Sequence, residues 1–94
     1  MTGSDQPMAA MEAYLGRVQG VLVAANATIP PAEMRQAQQL VDHGEPAEGL
    51  LELAWVITRG DHRVPGSVVD GIKELTAGLV PAGELPDNLD KHIA

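Results

Sequence analysis

Apolar residues return at steps of three and four from Met8 to about Ala25. Leu15, Val18, Leu22 and Ala25 share one face, with Tyr14 and Val21 beside them, while Glu12, Gly16, Gln19 and Gly20 fall on the other. That spacing predicts a first helix, ended by Asn26-Ala27-Thr28. Pro30-Pro31 opens a second, because proline suits a first helical position whose N–H has no partner anyway. Its apolar stripe is Met34, Ala37, Leu40 and Val41, and His43-Gly44 is its stop, with glycine as a left-handed cap.

Glu45-Pro46 starts a third helix at once, so the second and third form a tight hairpin with its turn at residues 42–46. This helix runs to about Arg59 and is the most apolar of the chain, with Ala47, Leu50, Leu51, Leu53, Ala54, Trp55, Val56 and Ile57. A helix apolar round most of its circumference belongs in the middle of a bundle, and Trp55 is expected in the core. After the loop Gly60–Arg63, Pro65 begins a fourth helix. It carries Val68, Ile72, Leu75 and Leu79 on one face, flanked by Val69, and is closed by Pro81 and Gly83.

The tail from Ala82 to Ala94 holds Pro86, three acids and the spaced apolar residues Leu85, Leu89 and Ile93. It either folds back as a short turn or trails loosely. β-Branched residues never alternate with polar ones over the length of a strand. The reading is an all-α, four-helix bundle-like single domain over residues 8–80. A flexible N-terminus at 1–7 precedes it and an acidic tail at 81–94 follows.

Composition narrows what such a domain does. With 94 residues, a chain buries about 60–70% of its unfolded surface, enough for one core and little internal pocket. Trp55 and Tyr14 are the only aromatics and Phe is absent, so the core is aliphatic. The absence of cysteine removes disulfides, thiolate metal sites and thiol nucleophiles. Met1–Pro7 lacks the basic start of a signal peptide, and no apolar run approaches the ~20 residues that span a bilayer. A cytoplasmic protein with no membrane role is the expectation.

Thirteen acidic side chains against six basic ones give a formal net charge of −7. A phosphate backbone demands a basic face, so nucleic acid is disfavoured. A basic protein partner is favoured, since opposite fields speed encounter and fix orientation. The acidic residues gather round the hairpin. Glu45, Glu48 and Glu52 fall at helical spacing on one side of the third helix, Asp42 ends the helix before it, and His43 sits between. Glu45 is also placed to cap free N–H groups at the start of the third helix. The bland reading is a solvated face and a well-made helix start. The functional reading is a rigid anionic surface for Lys and Arg of a partner.

Other constellations carry less. His43, His62 and His92 lie in separate loop or terminal regions and match no common ligand spacing, so no metal or cofactor is expected. Ser67, Asp61 and His62 make a triad on paper, without a nucleophile elbow or oxyanion loop. No catalytic residue is assigned. Arg59-Gly60-Asp61 spells an adhesion tripeptide, but reads as a helix end, with a cation at the negative pole of the dipole and glycine after it.

The run Leu40-Val-Asp-His-Gly-Glu-Pro-Ala-Glu-Gly-Leu-Leu-Glu-Leu53 resembles the helical hairpin of the Maf-type immunity proteins and their relatives. These small bacterial proteins accompany polymorphic and contact-dependent-inhibition toxins. The shared pattern is an apolar helix end, an acidic or polar residue, His-x-Glu, then a small residue and an Ala-Leu-like pair. Val64-Pro65 is comparable to the start of the helical stretch that follows, and the likeness covers about Ala37 to Leu79. It implies a cytoplasmic inhibitor of one cognate toxin domain, often a nuclease. Asp42, His43, Glu45, Glu48 and Glu52 are then the partner-binding residues. The rival expectation is a structural module that forms a homodimer through leftover apolar surface on the third or fourth helix.

Overall fold

The computed structural model describes residues 6–94, so the flexible start expected over 1–7 falls almost wholly outside it. Four helices follow in order: α1 (Gln6–Ala25), α2 (Pro31–Asp42), α3 (Pro46–Arg59) and α4 (Gly66–Thr76). Two single 3-10 turns, Ala82–Glu84 and Leu89–His92, complete the chain. The described residues contain no strand; an isolated parallel bridge joins Val64 to Ile93. The fold is an all-α, bundle-like domain.

Helix ends follow local chemistry. Pro31 and Pro46 take first-turn positions of α2 and α3, where the missing N–H costs nothing. At the end of α2 the Gly44 N–H donates to the Val41 carbonyl and the Glu45 N–H to the Leu40 carbonyl at 2.8 Å. This paired closure needs a left-handed residue between helix and exit, and Gly44 supplies it at φ +86°. The end of α3 repeats the pattern, with the Asp61 N–H on the Thr58 carbonyl and the His62 N–H on the Ile57 carbonyl. There the left-handed residue is Asp61 at φ 50°, and Gly60 stays right-handed. Aspartate tolerates that region better than most side chains, so glycine was not required for it.

The core is aliphatic. Val18, Leu22 and Ala25 of α1, Met34 and Ala37 of α2, and Leu50, Leu53, Ala54 and Ile57 of α3 are buried, as are Val68, Val69 and Ile72 of α4. Each buried large side chain contributes about 1.5–3 kcal/mol. Helix α3 packs against all three others, as its apolar circumference requires. It lies closest to α2. A Cβ on Gly49 would come within 2.6 Å of Val41 Cγ2 and 2.9 Å of the Ala37 carbonyl oxygen.

Two residues depart from their expected places. Helix α4 stops at Thr76, with Gly78 left-handed at φ 77°, so Leu79 leaves the helix before reaching the core and is 61% exposed. Trp55 is not in the core but 39% exposed. With Leu50, Leu53, Ala54 and Ile57 turned inward, the residue after Ala54 is rotated about 100° to the flank. Its indole N–H donates to the Glu84 carbonyl at 3.0 Å, a partner the aliphatic core does not offer.

The tail folds back. Leu89 and His92 are buried. The Val64 N–H donates to the His92 carbonyl at 2.9 Å and the Ala94 N–H to the Val64 carbonyl at 2.8 Å. Ile29, Val64 and Leu89, all outside the main helices, join the core.

Candidate functional site

The register of the helices decides what the hairpin meets. Gln19 of α1 and Gln38 of α2 exchange side-chain amide bonds at 3.1 and 3.0 Å, and Gln38 Nε2 also donates to Asp42 Oδ1 at 2.9 Å. Between α1 and α4, the Tyr14 hydroxyl donates to the Leu75 carbonyl at 2.6 Å, Arg17 pairs with Glu74, and Val21 packs over Gly71. Positions therefore climb along α1 as they descend α4, which makes that pair antiparallel, while the short connection from Ala25 to Pro31 turns α2 back along α1 to the level of Gln19 and Gln38. One end of the bundle gathers the N-terminal half of α1, the α2–α3 hairpin and the exit of α4. The opposite end gathers the start of α2, the end of α3, the start of α4 and the chain's last residues.

At the hairpin end the five candidate residues take different surroundings. Asp42, in the last turn of α2, is exposed and accepts from Gln38. Helix carbonyls place negative charge there, so its carboxylate adds to the local potential rather than offsetting it. His43, the exposed C-cap, and Glu45, the residue before α3, both line an open groove of about 740 Å³ between α2 and α3. Leu40, Val56, Arg35 and Arg59 also line it. Glu45 makes no side-chain capping bond, contrary to its expected role. Proline at the first helical position leaves fewer N–H groups to cap.

Glu48 is exposed and projects outside the groove lining, as does Asp42. Glu52 lines the groove but is paired with Arg59, one heptad on, at 3.2 Å. The structure thus brings His43, Glu45 and Glu52 into one groove and leaves Asp42 and Glu48 on the outer faces of the turn. Negative charge concentrates at Asp42, Glu45 and Glu48, which form no salt bridge among the described residues. The nearest cations in sequence are Arg35 and Arg59, with neither Lys nor Arg between them.

The remaining histidines belong to the opposite end. His62 Nε2 lies 2.7 Å from Glu33 Oε1, and His92 Nδ1 lies 3.1 Å from the His62 carbonyl and 3.4 Å from Arg63 Nη1. Asp61 faces Arg63 at 3.6 Å and His92 at 3.5 Å. With His62 engaged by Glu33 and Ser67 exposed on α4, the paper triad is not assembled. Among the described residues no group of three or more His, Cys, Asp or Glu is placed to hold a metal ion, and no helix is long and apolar enough to cross a membrane. Burial raises the Tyr14 phenol above its ordinary value; desolvation disfavours the phenolate.

Sequence reasoning passed over Met8 and Met11, which are 66% and 54% exposed. The signal was length: α1 has 20 residues against 12, 14 and 11 for its neighbours. Comparisons with known protein families, with curated proteins and with solved structures find no match to this chain.

Proposed function

We propose that this chain is an immunity protein that neutralises a basic toxin domain by seating its hairpin against that domain's cationic surface. The observation that carries this reading is the set of carboxylates at Asp42, Glu45 and Glu48, held on a rigid turn without an internal cation. Charges neutralised within a fold have little left to offer a partner, whereas these keep their field. Such a surface steers a cationic partner to one orientation and speeds encounter. The mechanism is steric and electrostatic, with His43 and the walls of the α2–α3 groove lying alongside. No bond is made or broken by this chain, and no cofactor enters.

The test uses the C-terminal domain of a large protein encoded by the neighbouring reading frame. Glu45→Lys with Glu48→Lys is expected to weaken binding on the order of 100-fold at low salt, as close interfacial charge pairs do. The salt dependence of the association rate should flatten. Unchanged affinity together with an unchanged salt slope removes the hairpin from the interface.

A second reading, a self-associating helical module, draws on exposed Met8, Met11, Val23 and Leu79. That surface lies on α1 and beyond the end of α4, and α3 adds Trp55, 39% exposed. Sedimentation at low micromolar concentration separates the two readings, since a monomer is incompatible with the second.

A further inference from the structure

The groove between α2 and α3 holds two charges of opposite sign that the fold does not answer. Among the charged side chains lining it, Glu33 faces His62 and Glu52 pairs with Arg59. Arg35 and Glu45 line it too, are exposed, and form no salt bridge among the described residues. They stand at different points along it. The chain reverses at Gly44, and α3 lies against α2 where Gly49 meets Val41 and Ala37, so the groove follows the length of the hairpin. Glu45 and His43 mark its turn end. Arg35 sits about two helical turns before Asp42, the last residue of α2, roughly 10 Å back along the axis. Leu40, partly buried, lines the groove between them.

We infer that this groove is a docking site for a helical segment of a protein partner bearing an acidic side chain and, about two turns along, a basic one, the acid meeting Arg35 and the base meeting Glu45. The inference rests on reading this chain as a protein-binding module, and adds the groove and the charge pattern that it recognises. Charge and spacing select the occupant. A guanidinium is answered by a carboxylate and a carboxylate by a cation, so the occupant carries both signs. Their separation is too wide for a single amino acid. It matches side chains seven positions apart on one helix face, roughly 10 Å at the helical rise, with room for an apolar residue over Leu40. A second copy does not fit this role. It would set one concave face against another, and each chain carries a net charge of −7, whose repulsion keeps copies apart.

The experiment uses the whole chain and two synthetic helical peptides, observed by amide NMR at about 0.15 M salt, where diffuse attraction is largely screened. One peptide carries Glu and Lys seven positions apart on one face with Leu between them; the other has Lys in place of that Glu. The Glu/Lys peptide should shift the amides of residues 35–45 and 52–59. It should bind roughly fivefold more tightly than the Lys/Lys peptide, the worth of one partly shielded charge pair. Arg35→Glu, at an exposed position, should invert that preference. Glu48→Lys, outside the groove lining, should leave it unchanged. The acidic hairpin by itself gives a different sign: Arg35→Glu then strengthens the Lys/Lys peptide without weakening the Glu/Lys peptide. That result overturns the groove inference and leaves the hairpin reading standing. An intact peptide preference, with toxin-domain binding indifferent to Glu45→Lys and Glu48→Lys, keeps the groove and ends the hairpin reading. Groove amides unmoved by either peptide, or a parent dimer that dissociates on Arg35→Glu, also overturn the inference.

Discussion

The two ends of this bundle handle polarity in opposite ways. At the end where α3 runs into α4, several polar groups have internal partners. His62 meets Glu33, the Arg63 guanidinium donates to the Lys91 carbonyl at 3.0 Å, and the last residues of the chain close a short backbone ladder with Val64. At the hairpin end the carboxylates Asp42, Glu45 and Glu48 form no salt bridge among the described residues; Met8 and Met11 of α1 and Leu79 beyond α4 are exposed apolar side chains. The closed end supports the fold. The carboxylates at the open end have no such internal partners, and the proposed binding surface rests on that asymmetry.

The sharpest way to break the comparison is to truncate one leucine at each end. Leu89 is 1% exposed and Leu79 61% exposed. Leu89→Ala is expected to cost about 2–5 kcal/mol in chemical denaturation, and Leu79→Ala less than about 0.5 kcal/mol. Equal losses would mean that the open end is packed after all.

Glycine substitutions sharpen it further. A Cβ on Gly60 would lie 2.5 Å from His62 Nε2 and 3.1 Å from the Val56 carbonyl oxygen, so the ring must leave Glu33. Gly60→Ala should cost about 1–3 kcal/mol, as overpacking does. Gly16, in the half of α1 nearest the open end, has empty space at that position. Gly16→Ala should stabilise by about 0.5–1 kcal/mol. Thermal melts of both variants would show opposite shifts.

The smallest effect belongs to Tyr14, where α1 leaves the bundle. Burial raises its folded-state phenol above the ordinary value, so the unfolded chain ionises first as pH rises past about 10. The folded state then holds the proton more tightly. Tyr14 contributes full stability below the ordinary phenol value and loses it as pH climbs through the raised one. A denaturation series from pH 8 to 11 should show this decline, and Tyr14→Phe should remove that component.

Much of the fold was legible because helix signals are local. Pro31, Pro46 and Gly44 act through their own backbone geometry, and the stripe Val18, Leu22, Ala25 repeats at a period that any amphipathic helix shares. Leu79 misled because its spacing continued α4 past Thr76, while Gly78 had already turned the chain. Trp55 misled because apolar composition does not tell the inward side of an almost wholly apolar helix from its flank. Ile29, Val64 and Leu89 were invisible to periodicity, since each sits in a turn or loop. The acidic run round the hairpin was readable as composition. Which of its members keep their charge was not: Glu52 and Glu48 look alike in the chain, and pairing with Arg59 separates them.

The sequence by itself determined four helices, an aliphatic core, a reversal at Gly44 and a strongly negative exterior, because each follows from the residue or from neighbours within a turn or two. Tertiary structure alone decided that His62 and His92 serve the closed end rather than a site. It also left Met8, Met11 and Leu79 exposed. The physical reason is register: which side chains meet depends on how antiparallel helices align along their axes, and that alignment is fixed by the whole core at once.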